Sequence, residues 1–343
     1  MAKTYKNLYP QIYNFQNLYK AYLKARKGKR YEKDVLQFSH NLEENLIHLQ
    51  NELVWRTHQT GRYHSFYVCE PKKRLIMALP FRDRIIHHAI CNIIEPFWER
   101  RFIFDSYACR SGKGTHAGAN RLTQYLQRCK RNWGRVYCLK ADISKYFASI
   151  DHDVLKRLLQ KRIACPDTLW LCDEIIDSTG DNIGIPIGNL TSQLFANIYL
   201  HELDELVKYT LQERFYIRYM DDFIILSPNI KHLHNARQEI EDFLWHNLRL
   251  KLNSKTQAFP VDSRGIDFLG YRIWPTHRLL RKSSTKRTKR RLRKLKALYA
   301  ADQIGMDKIR ATIMSWLGHC KHADTYRLRQ KVLDGFVLGK RPD

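Results

Sequence analysis

The stretch that decides the fold is RFYIRYMDDFIILS, residues 214–227. Apolar residues on both sides of Met220-Asp221-Asp222 predict two buried strands joined by a tight turn. Aspartate is common in exposed turns, so an ordinary surface turn is one interpretation of this pair. Adjacent carboxylates between buried strands also repel each other unless a cation lies between them, which favours a metal site. The hairpin alone leaves both interpretations open.

A second acidic position bears on this choice. RVYCLKADI (135–143) is a short apolar stretch that predicts a strand with Asp142 at its end. Taken alone, Asp142 is equally compatible with a helix N-cap or a surface carboxylate. If both strands belong to one sheet, Asp142 approaches Asp221 and Asp222, and the three carboxylates form an all-oxygen site suited to two Mg²⁺ ions about 3.5–4 Å apart. Such a site activates a 3′-hydroxyl and neutralises departing pyrophosphate, which is the chemistry of nucleotidyl transfer.

The composition indicates a polyanionic partner. The 343 residues include 60 Lys and Arg against 34 Asp and Glu, a formal net charge of +26. Nucleic acid is the simplest polyanion to balance this charge. No apolar run approaches the roughly 20 residues of a membrane-spanning helix, so a membrane partner is not predicted. A non-catalytic RNA-binding scaffold has the same composition, but it has no need for three clustered carboxylates.

The cysteines and the N-terminus predict a cytoplasmic protein. Eight cysteines are present without a C-x-x-C pair, and several lie in apolar runs. This pattern is typical of buried free thiols in a reducing compartment. The polar start MAKTYKNLYP lacks the apolar region of a signal peptide.

Apolar periodicity predicts the remaining elements. The first ~60 residues show a helical stripe, and residues 62–81 predict a hairpin whose tip, 70–73, is basic. Further predicted helices occupy 85–101, 152–163, 192–207 and 233–248, and FLGYRIW (268–274) predicts one strand. Residues 281–296 contain ten Lys or Arg and no acid, which predicts a basic helix; nucleic-acid binding and a solvated basic face are the two interpretations.

The order of these motifs resembles that of reverse transcriptases. It comprises Asp142, then GNLTSQ (188–193), then YMDD (219–222), then Leu269-Gly270. The segments PFRDRII (80–86), RSGKGTH (110–116) and LKLNSKT (250–256) are similar to those of the bacterial branch shared with group II introns and retrons. The resemblance covers nearly the whole chain.

The resemblance implies an α+β right-hand polymerase with fingers, a palm and a helical thumb. The palm is an antiparallel sheet with packed helices. Residues 1–134 are then the N-terminal helices and fingers, and 135–280 are the palm, with 152–186 returning to the fingers. Residues 281–343 are the thumb.

It also implies site residues. Asp142 and Asp221 bind both Mg²⁺ ions with help from the Ile143 carbonyl, and Asp222 completes the acidic set. Phe147 matches the ring that blocks a ribose 2′-hydroxyl; a core aromatic beside Tyr146 is the alternative.

Further contacts follow for substrate and nucleic acid. The incoming deoxynucleoside triphosphate is expected to meet Arg74, Arg82, Ile187, Gly188, Gln193 and Lys255. For Arg74 and Arg82, the alternative is general contact with the nucleic-acid backbone or a solvated face. Lys255 is the candidate general acid that protonates pyrophosphate, and a structural lysine is the alternative. Template and primer are expected to contact Arg110, Lys113, Arg287, Arg290, Arg291 and Lys294.

One departure from the family indicates a subtype. Ile187 stands where most families carry Gln, and Gln193 where they carry Pro. This form, and SWLGHCKHADTY (315–326), are similar to reverse transcriptases of diversity-generating retroelements. That resemblance implies error-prone, adenine-mutagenised cDNA copied from a template-repeat RNA in mutagenic retrohoming. It also implies a small basic accessory variability protein and a bacterial, archaeal or phage-encoded source. A retron-like or defence-associated enzyme using its own structured RNA is the alternative.

Overall fold

The N-terminal part of the chain is helical, as predicted. The computed structural model describes residues 4–69 and 73–339. The first helices are α1 (Tyr9–Tyr13), α2 (Phe15–Ala25), α3 (Lys33–His40) and α4 (Leu42–Val54). Their buried stripe, which includes Leu18, Leu46, Leu49 and Leu53, joins the main hydrophobic core. Of these helices, α1, α2 and α3 pack on α5 (Phe81–Glu99), and α4 packs on the other three, so together they support the segment that follows the first hairpin.

That hairpin is antiparallel and largely exposed. It consists of β1 (His64–Val68) and β2 (Arg74–Ala78), with Val68 opposite Arg74. Residues 70–72 of the predicted basic tip lie outside the described residues. The amide of Met77 in β2 donates to the carbonyl of Ile187 at 2.9 Å. The hairpin is therefore tied to the loop that precedes the next core helix.

A four-stranded antiparallel sheet forms the centre of the described chain. Its strand order is β4 (Tyr216–Tyr219), β5 (Asp222–Ser227), β3 (Tyr137–Asp142) and β6 (Gln257–Pro260). Side chains alternate between faces along β3. Leu139 and Ala141 enter the main core, whereas Cys138 enters a second core. Both faces of the sheet are thus packed, apart from the end that carries Asp142.

Helices cover the two faces. The main core is built with α5, α9 (Leu190–Glu205) and α10 (Ile230–Leu248), and α6 (Thr115–Trp133) covers the other face. A 3₁₀ turn (Tyr146–Ser149), α7 (His152–Gln160) and α8 (Pro166–Asp177) follow β3, and a π-helical turn (Leu206–Thr210) extends α9. The predicted mixture of helices and antiparallel sheet is confirmed.

The predicted single strand at 268–274 is wrong. After α11 (Val261–Arg264), the chain forms β7 (Ile266–Phe268), β8 (Tyr271–Ile273) and β9 (Arg278–Leu280) as a small antiparallel sheet. Leu269 and Gly270 have φ values of +52° and +89°. Two consecutive positive φ values are the conformation of a tight hairpin turn, so the apolar run reverses direction at this point.

The C-terminal helices form a small unit of their own. They are α12 (Lys282–Ala300), α13 (Met306–Cys320) and α14 (Tyr326–Leu333). Their core is small and includes Leu292, Leu295, Ile309 and Val332. Within the described residues, no helix is long and apolar enough to cross a membrane.

Candidate active site

Strand register brings the predicted carboxylates together. β3 and β5 are antiparallel with Asp142 directly opposite Asp222. Asp221 lies in the two-residue turn between β4 and β5, since Tyr219 pairs with Asp222. The amide of Ile143 donates to the Asp221 carbonyl at 3.3 Å, which ties the end of β3 to this turn.

A buried arginine supports the turn from below. Met220 has a φ of +54°, a conformation that costs a non-glycine residue roughly 1–2 kcal/mol. Arg218 is fully buried and donates to the Met220 carbonyl at 3.0 Å. The same guanidinium binds both carboxylate oxygens of Asp204, at 2.7 and 2.5 Å. This charge-assisted fork fixes the turn that presents Asp221.

The electrostatics of the site reflect crowded negative charge. Burial and, next, the Asp142 carboxylate raise the pKa of Asp221 to about 6, and Asp222 contributes in the same direction. Arg74 opposes this shift, so the guanidinium on β2 lies close enough to act on Asp221. Burial also raises the pKa of Asp222, while Lys140 holds it down.

Two residues not predicted from the sequence complete the site. Lys140 Nζ lies 2.5 Å from Asp222 Oδ1, and both side chains are about three-quarters covered. Asn253 donates from Nδ2 to Asp142 Oδ2 at 3.4 Å, and from its amide to the Asp142 carbonyl at 2.7 Å. Lys140 was recognisable in principle, because residues two apart on a strand share a face. Asn253 gives no such local signal.

The donor set fits a hard divalent cation. Asp142 and Asp221 supply carboxylate oxygens, the ligands that Mg²⁺ prefers, and a cation between them would relieve the repulsion that raises the pKa of Asp221. Among the described residues, no group of three His, Cys, Asp or Glu is arranged to hold a metal ion. Asp222 differs from the other two aspartates because its carboxylate forms an ion pair with Lys140.

The two aromatic residues after Asp142 have different environments. Tyr146 is buried, and its hydroxyl donates to the Ala196 carbonyl at 2.5 Å. Phe147 is only partly buried, with its ring 5.5 Å from that of Tyr146. Tyr146 is therefore a core residue, and Phe147 is the ring of the two that is accessible to a substrate.

Gly188 has a structural reason to lack a side chain. Its φ is +135°, and a Cβ atom there would lie 2.8 Å from the Met77 carbonyl. The space that a side chain would occupy is thus taken by β2. Ile187 is partly buried beside the same strand. Gln193 lines a small cavity that also includes Phe102 and Arg110.

The structure contradicts the template contact predicted for Arg110. Its side chain is 5% exposed, and it forms an ion pair with Glu99 at 2.7 Å. It also donates to the carbonyls of Ile103 and Ser106 at 2.7 and 2.8 Å. A buried and fully engaged guanidinium shapes this loop, so it is not available to a template phosphate.

The other predicted basic contacts differ in their surroundings. Arg82 forms an ion pair with Glu52 of α4. Lys113 donates to the Phe104 carbonyl at 2.8 Å and lies 3.5 Å from the centre of that ring. Lys255 is exposed, and its amide donates to Asn253 Oδ1 at 3.0 Å.

The four predicted duplex contacts all lie on α12. Arg290, Arg291 and Lys294 are exposed, and Arg287 is partly buried. They share the helix with the buried residues Leu292 and Leu295, so its apolar edge packs into the small C-terminal core while basic residues face outward.

Comparison with known proteins defines the class. The family model described as reverse transcriptase (RNA-dependent DNA polymerase) matches residues 69–273. The chain therefore belongs to the reverse transcriptase family and is an RNA-directed DNA polymerase with the right-hand fold. Members of this family use divalent metal ions, and its homologues bind template RNA.

Individual relatives give a finer comparison. Protein YkfC of Escherichia coli is 27% identical over 282 residues, which cover 69% of this chain and 71% of that protein. The group II intron-encoded protein LtrA of Lactococcus lactis is 28% identical over 268 residues, which cover 73% and 41%. The matched region is thus less than half of this intron-encoded relative. Apo telomerase from Candida tropicalis has a TM-score of 0.49 at 13% identity, covering 64% of this chain and 55% of that one.

Proposed function

We propose that this polymerase extends a DNA primer on an RNA template at Asp142 and Asp221, with two Mg²⁺ ions as cofactors and deoxynucleoside triphosphates as substrates. The register that places Asp142 opposite Asp222, next to the turn with Asp221, is the observation that carries this proposal. Divalent cations held there would favour the deprotonated 3′-hydroxyl and neutralise the pyrophosphate leaving group.

The chain's own side chains orient the substrates. Asp142 and Asp221 hold the cations, the Ile143 carbonyl assists, and Asp222 is positioned by Lys140. Phe147 excludes a ribose 2′-hydroxyl, and Arg74 meets the triphosphate, consistent with its electrostatic effect on Asp221.

The other residues predicted to contact the substrate are also part of the proposal, as a proton donor or as supports of the site. Lys255 is exposed near Asn253 and is a proton donor for pyrophosphate. Ile187 lies near the nucleotide, whereas Gly188 and Gln193 shape the loop around it. Arg82 supports the fingers through Glu52.

The proposed domain division follows from the same arrangement. Residues 1–134 form the N-terminal helices and fingers, 135–280 the palm, and 281–343 the thumb, with 152–186 returning to the fingers. The small core of the C-terminal helices supports the thumb as a separate unit, whereas the main core runs through both the N-terminal helices and the palm. Lys113 in the fingers and the basic residues of α12 in the thumb then flank the template and the duplex.

The test of the site is primer extension by Asp142→Asn and Asp221→Asn. Both variants should lose nearly all extension, because an amide removes the negative charge that holds a divalent cation, while RNA binding is retained. Asn is close in shape to Asp, so thermal unfolding should change little and serves as the control. Near-normal extension by either variant would remove that residue from the site.

We further propose that the enzyme belongs to a diversity-generating retroelement. It would copy a template-repeat RNA into adenine-mutagenised cDNA together with a small basic accessory variability protein, in the cytoplasm. The segments 187–193 and 315–326 support this subtype. The named relatives, YkfC and LtrA, support only the broader family. A retron-like enzyme with its own structured RNA is the alternative, and the genomic test is an adenine-biased repeat pair beside the gene.

A further inference from the structure

At the end of the palm sheet away from the carboxylates, four exposed arginines share one surface. These palm-end arginines are Arg128, Arg131, Arg135 and Arg214. The first two lie in the last turns of α6, the third in the connection to β3, and the fourth just before β4. Since the six-residue strand β3 separates this end from Asp142, the surface lies about 17 Å from the active site.

Aromatic rings hold two members of this patch, Arg214 and Arg135. The Arg214 guanidinium lies 5.7 Å from the centre of the Phe215 ring, which meets the Trp133 ring edge-on at 5.2 Å. The Arg135 amide donates to the Trp133 carbonyl at 2.7 Å, and its guanidinium lies 5.2 Å from the Tyr137 ring. Guanidinium groups held over rings lose less conformational freedom when they bind a ligand.

Arginines from separate elements converge at one point of this patch. The buried thiol of Cys129 has its pKa raised to about 12 by burial, and both Arg128 and Arg214 oppose that shift. Two guanidinium groups from α6 and from the start of β4 therefore lie close to the same side chain. Like charges brought together in this way destabilise the folded chain unless a polyanion binds them.

The described part of the chain does not neutralise this charge. Within residues 4–69 and 73–339, no carboxylate forms an ion pair with any palm-end arginine. Asp262, which follows β6, forms its ion pair with Lys130 at 2.9 Å and not with a palm-end arginine. Other palm arginines are paired, since Arg121 binds Asp105 and Arg218 binds Asp204.

We infer that the palm-end arginines form a second binding surface for the phosphate backbone of RNA, separate from the active site and the thumb. Planar guanidinium forks match phosphate oxygens, and aromatic neighbours tolerate any base sequence. The phosphates can come from an extended product duplex or from a template segment outside the copied region. This inference does not depend on the retroelement subtype.

The test replaces all four palm-end arginines with glutamine and measures binding against salt for three ligands. The first is a minimal primer–template, the second carries a longer duplex, and the third carries a long single-stranded RNA extension. The variant should bind the minimal ligand as the wild type does. For one of the longer ligands, the slope of log K against log salt should fall by roughly 0.7–0.9 for each phosphate that the variant no longer binds. The ligand that is affected identifies the source of the phosphates.

Matched variants make the result specific. Arg→Lys at the same four positions keeps the charge and should restore most of the binding. Gln at the exposed lysines Lys6, Lys20, Lys27 and Lys33 removes the same number of charges from the N-terminal helices. An equal decrease in that variant, or no decrease for either longer ligand, would overturn the inference. Failure of the proposed active site would appear separately, as undiminished extension by Asp142→Asn.

Discussion

At the β4–β5 hairpin, one ion pair places two neighbouring aspartates in different environments. Asp222 is bound by Lys140 at 2.5 Å, whereas Asp221 faces Asp142 and has its pKa raised to about 6 by burial and by that carboxylate. Lys140 thus offsets one of three negative charges before any cation binds. We interpret it as a positioning residue that acts through Asp222.

Replacing Lys140 tests this role. Lys140→Met removes the ion pair and frees Asp222 to move, so at low Mg²⁺ we expect extension to slow at least tenfold, equivalent to about 1.4 kcal/mol in activation free energy. Lys140→Arg keeps the charge and should recover much of the rate. The measurement is the Mg²⁺ concentration for half-maximal single-turnover extension, compared with metal binding followed by calorimetry. Equal metal dependence in wild type and Lys140→Met would rule out a positioning role.

The environments of Tyr146 and Phe147 predict which ring selects the sugar. Phe147→Ala should admit ribonucleotides while deoxynucleotide incorporation stays measurable, because Tyr146 remains in the core. The measurement is the ratio of kcat/KM for matched deoxy and ribo substrates. Tyr146→Phe, which removes only the hydroxyl bonded to Ala196, is the control and should leave this ratio unchanged. A change in the control alone would show that the wrong ring was assigned.

At the scale of elements, the packing of α5 against α9 buries neutral imidazoles. Burial lowers the pKa of His87 to about 3 and that of His201 to about 4. His87 shares a hydrogen bond of 2.8 Å with the Thr191 hydroxyl, which joins the two helices. The interface between α5 and α9 therefore depends on uncharged histidines.

This interface predicts that the fold weakens in acid. Unfolded histidine has a pKa of about 6.5, so below that pH the unfolded chain binds protons that the folded chain excludes. The contribution of these neutral histidines to the free energy of unfolding is therefore fully present above pH 6.5. It decreases toward pH 4, by up to about 1.4 kcal/mol per pH unit for each imidazole. Urea unfolding at pH 7 and pH 5 measures the decrease. His201→Gln should show a smaller decrease than wild type, and identical decreases would exclude His201 as a source.

At the scale of the whole molecule, the sequence predicted the elements better than their contacts. Short apolar stretches identified β3, β4 and β5, and adjacent aspartates identified the turn, because these signals are local. The pairing of Asp142 with Asp222 depends on register, which a single strand does not reveal. The template contact predicted for Arg110 was wrong because the sequence does not show that Arg110 forms an ion pair with Glu99, at the end of α5.

Loop glycines show a similar limit. Gly188 was expected to make room for a nucleotide, which stays a prediction, and the sequence did not show that its positive φ and its approach to Met77 also suit the packing of β2. The turn at Leu269-Gly270 was hidden in an apolar run, because the positive φ of Leu269 is uncommon for a branched aliphatic residue. Function was predicted at the level of the family, where many ordered motifs agree.

The error spectrum of the assembled enzyme tests the subtype. Ile187 is hydrogen-bonded through its backbone to β2, the strand that carries Arg74, and the proposed site has its side chain near the incoming nucleotide. An apolar side chain there forms no polar contact that a mispair would break, and a difference of about 1.4 kcal/mol in discrimination raises the error rate tenfold. With cognate RNA and the accessory protein supplied, wild type should misincorporate mainly opposite adenine. Ile187→Gln should err less there, and Ile187→Val should behave as wild type. Uniform high fidelity in wild type would favour the retron-like alternative, while the polymerase assignment would stand.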